Sequence, residues 1–434
     1  MSSNETQAVV DHCLSEKEKA NLHKRGISPT ESMEFNFKAS AITDERGTSY
    51  IAIPSGGFEA SDGKKYIPFS LSLADVSYGG NPFSSVMSEH GTTMFLGKPL
   101  VEQAQKGLVS VLFLLLKSIG STVSDEETLD RRLFNAYFEE LEVAKSVYSG
   151  GNRNRSGISA LPMMMSTYMN VDDITNTESL IRSVAICAAN ATKLCRRNKS
   201  MLKLGMYSPY RKRTSDKKFC HVFLEMMSCK GQSVENVRIF SQALALHISH
   251  GVNLSEGTAF SVGSGHGTVI QSTLSGLLAL FTPRHGYACD KVVAQHNQMV
   301  GMSTEEKAAF LKRATIIYGC GHRVIKGEDD VRYSAIMDYL SNVFPDAYNV
   351  IQENSDLAKQ AMYDLKGIEF GRNIDMATGA LYQELGISLE KDVATFLFGV
   401  ARVGGLVGMA LYGQSLPIMR GRDLASSWIT TLDQ

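Results

Sequence analysis

From Val393 to Gly413 the chain reads VATFLFGVARVGGLVGMALYG, a helical apolar run in which Arg402 is the only charge. A helix that is apolar all round belongs inside a core. Burying an unpaired guanidinium there costs several kcal/mol, the penalty of any buried ion left without a counter-charge. Arg402 therefore needs an anionic partner. A carboxylate of the same chain would make it a buried salt bridge, and a carboxylate substrate would make it a binding residue. The sequence leaves both readings open.

Upstream, apolar spacings near three and four continue through most of the C-terminal two thirds. LVEQAQKGLVSVLFLLLKSIG predicts one helix. Thr122 or Ser124, followed by acids, predicts the cap of a second helix running through RRLFNAYFEELEVAKSVY. SGGNRNRSG at 149–157 reads as a loop. LPMMMSTYM, ESLIRSVAICAANATKLCRR, VENVRIFSQALALHISHGV, TVIQSTLSGLLALF, CDKVVAQHNQMV, TEEKAAFLKRA, RYSAIMDYLSNVF, NSDLAKQAMYDL and MATGALYQELG follow as helices joined by short linkers. Residues 36–100 are rich in Gly, Ser and β-branched residues and predict short strands or hairpins. Residues 1–35 read as a polar arm. The expected fold is mainly α with a few short N-terminal strands. With 434 residues and 43% hydrophobic content, the chain can bury a large core and form more than one domain.

A formal net charge of -1 supplies no global field for nucleic acid or an anionic membrane, so neither is expected as a partner. An anionic ligand must be held by local arginines. The basic stretch from Lys193 to Arg213 reads as a solvated helix face and loop, with a share in binding phosphates as the functional alternative. Seven scattered cysteines without a CxxC pair suit reduced thiols, and the polar N-terminus resembles neither a signal nor a transit peptide. A cytoplasmic location is the expectation. Leu108–Leu116, the most apolar early stretch, is too short to span a bilayer.

Several segments place polar residues against apolar ones. In LHISHGVNLS, His247 and His250 lie three apart, on one face of the expected helix near its end. Such a pair could ligate a metal, but no HExxH or Cys cluster accompanies it, and no metal is expected. In TPRHGYACD, His285 sits on a sharp turn, either structural or donating into a cleft. In YGCGHRVIKGEDDVRY, Gly319 and Gly321 permit close backbone approach, and His322, Arg323, Lys326 and Arg332 follow. That segment is a solvated basic turn or a phosphate or carboxylate site. Asp375, at the start of a predicted helix, is ordinarily an N-cap. Arg420 and Arg422 lie near the C-terminus. Together these residue types suit enolisation of a thioester followed by attack on a keto acid. A carboxylate would take the carbon-bound proton. One histidine would stabilise the enolate oxygen, another would polarise the carbonyl, and arginines would clamp a dicarboxylate by bidentate pairs.

In this order and spacing the segments resemble the citrate synthase family. HxxHxxNxS is similar to its H-x-D-H-E-x-N-x-S helix end, and TPRHGYAC to its G-P-x-H-G-x-A-N turn. GCGHRVIK with DDVRY is similar to G-x-G-H-R-V-x-K with D-P-R, NIDMATG to N-V-D-x-x-S-G, ARVGGLVG to A-R-x-x-G-x-x-x-H, and MRGR to R-P-R. SALPMMM and FLEMM are weaker echoes upstream. The resemblance implies a mostly helical, two-domain homodimer that condenses an acyl-CoA, acetyl-CoA first, with oxaloacetate, using no metal or redox cofactor. It implies a large domain over 1–285, completed by 386–434, and a small domain over 286–385 that closes over the substrates. By the same resemblance His285, His322 and Asp375 are catalytic. His250, Arg332 and Arg402 bind oxaloacetate or citrate, as does Arg420 from the partner subunit. Gly319, Gly321, Arg323 and Lys326 face coenzyme A.

The chain departs from the family pattern at Gly251, Cys289, Arg372, Met376, Ala377, Thr378 and near Met409. The early glycine-arginine turn has no obvious copy. No departure removes a catalytic residue. Several fall beside the expected acyl group, which opens 2-methylcitrate or alkylcitrate synthesis from longer acyl-CoA. Cleavage of citryl-CoA uses the same groups in reverse, and a catalytically silent homologue is the alternative of a different class.

Overall fold

A computed structural model of the chain describes residues 41–43, 49–53, 57–60, 65–66, 83–86, 92–149, 156–169, 174–195, 210–212, 214–251, 253–321, 327–390, 392–416 and 418. The expected N-terminal arm, the 150–155 part of the expected loop, most of the basic stretch, His322, Arg323, Lys326 and Arg420 lie outside them. Two units are present. In the first, β1 (Ala41–Thr43), β2 (Ser49–Ile53), β3 (Gly57–Ala60) and β4 (Lys65–Tyr66) form an antiparallel sheet in sequence order, with Tyr50 opposite Ala60 in its central pair. The strands expected before residue 100 are therefore present.

The second unit, 79–418, opens with a small sheet of β5 (Ser84–Val86), β6 (Thr93–Phe95) and β7 (Lys98–Pro99) and is otherwise helical. The helix expected after Pro99 is two helices, α1 (Leu100–Ala104) and α2 (Leu108–Ser118). Gly107 breaks it at φ +86°, a conformation only glycine adopts freely, and the freed Leu108 N–H donates to Ser241 Oγ at 2.9 Å. α3 (Glu126–Ser149) follows. Its first turn is capped by Asp125, whose Oδ1 accepts from Thr128 N at 2.7 Å, rather than by Thr122 or Ser124. α4 (Gly157–Met169) and α5 (Asn176–Leu194) come next, then α6 (Phe219–Ser228) and α7 (Val234–Ala245).

α8 (Leu254–Ser264) was not visible in the apolar spacing, because its Gly and Ser content leaves no apolar stripe. α9 (Val269–Leu280), α10 (Ala288–Met299), α11 (Thr304–Arg313), α12 (Val331–Val343), α13 (Pro345–Lys366) and α14 (Asp375–Glu384) follow. α13 starts at Pro345, ahead of the expected NSDLAKQAMYDL, because proline is preorganised for a first helical turn.

α15 (Val393–Gln414) is the buried centre of this unit. Among the described residues it alone is long and apolar enough to cross a membrane, and its apolar window is wholly covered by α2, α5, α8, α9 and neighbouring elements. α8 lies closest. A side chain at Gly263 would collide with Ala410 O, and one at Gly405 with Glu256 Oε1. These glycines let the start of α8 reach Arg402.

Candidate active site

The turn after α7 brings the first histidines to the site. α7 ends at Ala245, so His247 and His250 lie on the following turn and not on a shared helix face. His247 is fully buried. Its Nδ1 donates to Ala243 O at 2.8 Å, which makes Nε2 the bare acceptor of a neutral ring, and Nε2 has no hydrogen-bond partner. Burial first, then the charges of Arg332 and Arg402, push its pKa down to about 3. His250 follows at half-burial. Gly251, where the family pattern has glutamate, donates its N–H to Ser84 Oγ at 3.0 Å.

His285 leaves α9 on the expected turn and meets the start of α8. Its Nε2 lies 2.9 Å from Ser255 Oγ and accepts from Ser255 N at 3.3 Å. A neutral ring that accepts at Nε2 carries its proton on Nδ1. Burial, aided by the charge of Arg402, lowers its pKa to about 3, so it is a neutral donor at physiological pH.

Arg402 has the partner that its position demanded, and the partner is internal. Its Nη1 lies 3.2 Å from Glu256 Oε1, with both side chains 0% exposed, and its Nε donates to His247 O at 3.1 Å. Phe398 stacks beneath the guanidinium at 4.9 Å. Nη2 is buried without a partner. Burial lowers the Arg402 pKa to about 10, still far above neutral. The salt-bridge reading therefore holds, and a free donor remains beside it.

Arg332, on the first turn of α12, repeats the arrangement. Asp330 caps that helix, accepting from Arg332 N at 2.9 Å. The same carboxylate takes Arg332 Nε at 3.0 Å and Nη2 at 2.6 Å. Arg332 Nη1 is buried without a partner. Neither arginine offers a bare two-nitrogen fork of the kind expected for a bidentate clamp.

Asp375 is not a cap. Ile374 holds the cap position without a side-chain bond, and Asp375 is the first residue of α14. Its N–H donates to Asn373 Oδ1 at 3.1 Å, and its own Oδ1 is buried without a partner. Burial raises its pKa to about 7. Arg332 and Arg402 oppose that shift, while Asp330 and Asp290 add to it. Asp375, Arg332 and Arg402 are thus close enough to feel one another's charge, and the charge of Arg402 also reaches His285 and His247.

Gly319 and Gly321 lie beside α14, both at positive φ. Gly321 N donates to Gly371 O at 2.7 Å, and Asn373 N donates to Gly319 O at 2.9 Å. The glycine segment thus aligns residues 371–373 at the foot of Asp375. Arg372 secures this strand-like pairing, with Nε 3.0 Å from Asp329 Oδ2, Nη1 2.8 Å from Asp356 Oδ1, and its guanidinium over Tyr333. Cys289, Met376 and Ala377 are fully buried, and burial first, then the charge of Asp375, raises the Cys289 thiol pKa.

The family model described as "Citrate synthase, C-terminal domain" matches residues 72–420. The chain belongs to the citrate synthase family. A citrate synthase of Deinococcus radiodurans is 29% identical over 206 residues, covering 46% of this chain and 53% of that protein. Citrate synthase 3, mitochondrial, of Saccharomyces cerevisiae is 26% identical over 216 residues, covering 44% and 43%. The chain spans about half the length of the curated relatives it matches. Two solved structures share its mainly helical fold. Citrate synthase from Thermotoga maritima superposes with a TM-score of 0.62 at 21% identity, over 80% of this chain and 93% of that one. The Thermoplasma acidophilum citrate synthase complexed with carboxymethyl coenzyme A and oxaloacetate gives 0.62 at 17% identity, with the same coverage.

Of the residues that the family motifs select, His285, Asp375, Arg332 and Arg402 come together. His250, Gly319 and Gly321 lie on the adjoining turns. Ser255, which fixes the His285 ring, and Asp330, which holds Arg332, lie inside the family motifs but had no role assigned to them, and Glu256, which holds Arg402, lies outside those motifs. The demand of Arg402 for an anion was the one signal pointing to Glu256.

Proposed function

We propose that this citrate synthase family member condenses an acyl-CoA, acetyl-CoA foremost, with oxaloacetate, releasing citrate or an alkylated citrate and free CoA. The reading is carried by Asp375, a buried carboxylate with an unpartnered oxygen and a pKa near 7. Such a group can take a weakly acidic carbon-bound proton at neutral pH. In this scheme Asp375 removes a proton from the acyl α-carbon, and His285 donates from Nδ1 to the enolate oxygen. The enolate carbon then attacks the keto carbon of oxaloacetate, whose oxygen takes a proton from His322. Water cleaves the resulting thioester, giving the carboxylic acid and the CoA thiol.

Arg332 Nη1, Arg402 Nη2 and His250 receive the carboxylates, with Arg420 supplied by the partner subunit of a homodimer. Arg323 and Lys326 face coenzyme A beside Gly319 and Gly321. Residues 286–385 move as the small domain and exclude water. No metal or redox cofactor takes part. The ternary complex of the Thermoplasma relative supports this choice of substrates.

A longer acyl chain is the second reading. Met376 is flexible, Ala377 is small, and buried Cys289 lies within the field of Asp375, so the wall beside the thioester is soft. One assay separates the readings: oxaloacetate with a series of acyl-CoA chain lengths, followed by thiol release. A maximum at acetyl-CoA supports citrate synthesis, and a maximum at longer chains supports an alkylcitrate. No thiol from any acyl-CoA refutes both.

A further inference from the structure

Arg402 and Arg332 are anchored alike. In each, two guanidinium nitrogens are held by acceptors of this chain and the third is buried with no partner. A donor left buried and unpaired is unfavourable, so each free nitrogen points to an acceptor that arrives from outside. For Arg332 the holding carboxylate is two residues away and belongs to the helix cap. For Arg402 it is Glu256, from another helix and from none of the family motifs.

Glu256 is built into place. Its N–H donates to Asn253 Oδ1 at 3.1 Å, which sets it in the first turn of α8, where a carboxylate is favoured by the helix dipole. The bare Gly405 backbone leaves room for its Oε1. The Arg402 guanidinium then has three fixed points: Glu256 on Nη1, His247 O on Nε, and Phe398 beneath the plane.

We propose that Glu256 is a positioning residue of the keto-acid site, holding Arg402 by one edge so that Nη2 alone meets the substrate carboxylate. The contact is end-on, and Arg402 supplies direction more than net charge, because Glu256 already neutralises it. This rests on the reading of Arg402 as an oxaloacetate ligand.

The test is calorimetric titration of oxaloacetate into the full chain, alongside thiol release by the unaltered protein. Glu256→Gln keeps an acceptor oxygen and removes the charge, so it should bind within about threefold of the unaltered protein, or more tightly. Glu256→Ala removes the acceptor and should weaken binding about tenfold, the loss expected when one charge-assisted hydrogen bond no longer orients the guanidinium. Should Glu256→Ala not fold, Glu256→Asp decides in its place, because it keeps the charge but withdraws the oxygen by one methylene. Equal affinity in Ala, Asp and Gln variants overturns the proposal, as does an equal loss in all of them. Oxaloacetate binding with this pattern but no thiol release overturns the condensation and leaves the positioning role standing. Thiol release with unchanged affinity in every variant does the reverse. If the unaltered protein does not bind oxaloacetate, both are overturned.

Discussion

If Asp375 is the base, its burial sets the pH dependence of the reaction. Its pKa moves from 3.8 to about 7, which corresponds to about 4 kcal/mol of disfavoured ionisation. Roughly half of the free protein then carries the carboxylate at pH 7, and about a tenth at pH 6. Log kcat/KM should therefore rise with unit slope up to an apparent pKa near 7 and level off above it. The assay is thiol release across pH 5 to 9 at subsaturating acyl-CoA. A second perturbation checks the cause. Asp290 adds to the upward shift of Asp375 and lies outside the proposed chemistry, its carboxylate capping α15 through Thr395 N at 2.9 Å. Asp290→Asn keeps an acceptor there and removes the charge, so the rising limb should move to lower pH by a few tenths. A limb near pH 4, or a flat profile from pH 5 to 8, would refute the assignment. A limb that Asp290→Asn leaves in place would refute the electrostatic account.

Other expectations follow from single contacts. Gly319→Ala puts a methyl 2.7 Å from Met376 Cε at φ +86°, and should cost about 1–3 kcal/mol by urea unfolding while lowering kcat, since Met376 follows Asp375. Arg372→Pro removes the N–H held by Asp329 at 2.7 Å and the side-chain ion pairs, so it should destabilise by about 2–4 kcal/mol. His247 has a folded pKa of about 3 against 6.5, so between those values the folded state binds fewer protons and stability falls as pH falls. Taken from pH 7 to pH 5, the unaltered protein should lose about 2 kcal/mol more in chemical denaturation than His247→Asn. Asp375 works in the opposite sense, its penalty growing as pH rises from 3.8 to about 7, and it is common to both proteins.

Features that depend on neighbours in sequence were legible, and those that depend on distant partners were mostly not. Helices α5 and α9 carry an apolar face that repeats with the helical turn, α15 is apolar all round, and the sequence marks all three directly. Gly107 shows the limit. Its run of good helix formers reads as continuous until the φ of one glycine and its fit against Ser241, 134 positions away, are known. α8 shows another, because small residues chosen for close approach to α15 carry no periodic signal. Asp375 looked like a cap because a local rule assigns most such aspartates. Only its surroundings, with Oδ1 buried and unpaired, remove that reading.

Arg402 ties these cases together. Its single charge in an apolar helix demanded an anion, and the sequence offered an internal carboxylate or a substrate as alternatives. They are not exclusive. A guanidinium has three nitrogens, and Glu256 with His247 O takes two of them. Glu256 was hard to find because Asn253-Leu-Ser-Glu256 already has a local explanation, an N-cap followed by an acid in the first turn. The same residue can satisfy the helix dipole and the distant arginine at once. A buried ion pair that leaves one donor unsatisfied is a poor stabilising device, since an apolar pair would fill the space at lower free energy. Its presence beside the unpartnered Oδ1 of Asp375 is better explained by a ligand that completes the set than by stability.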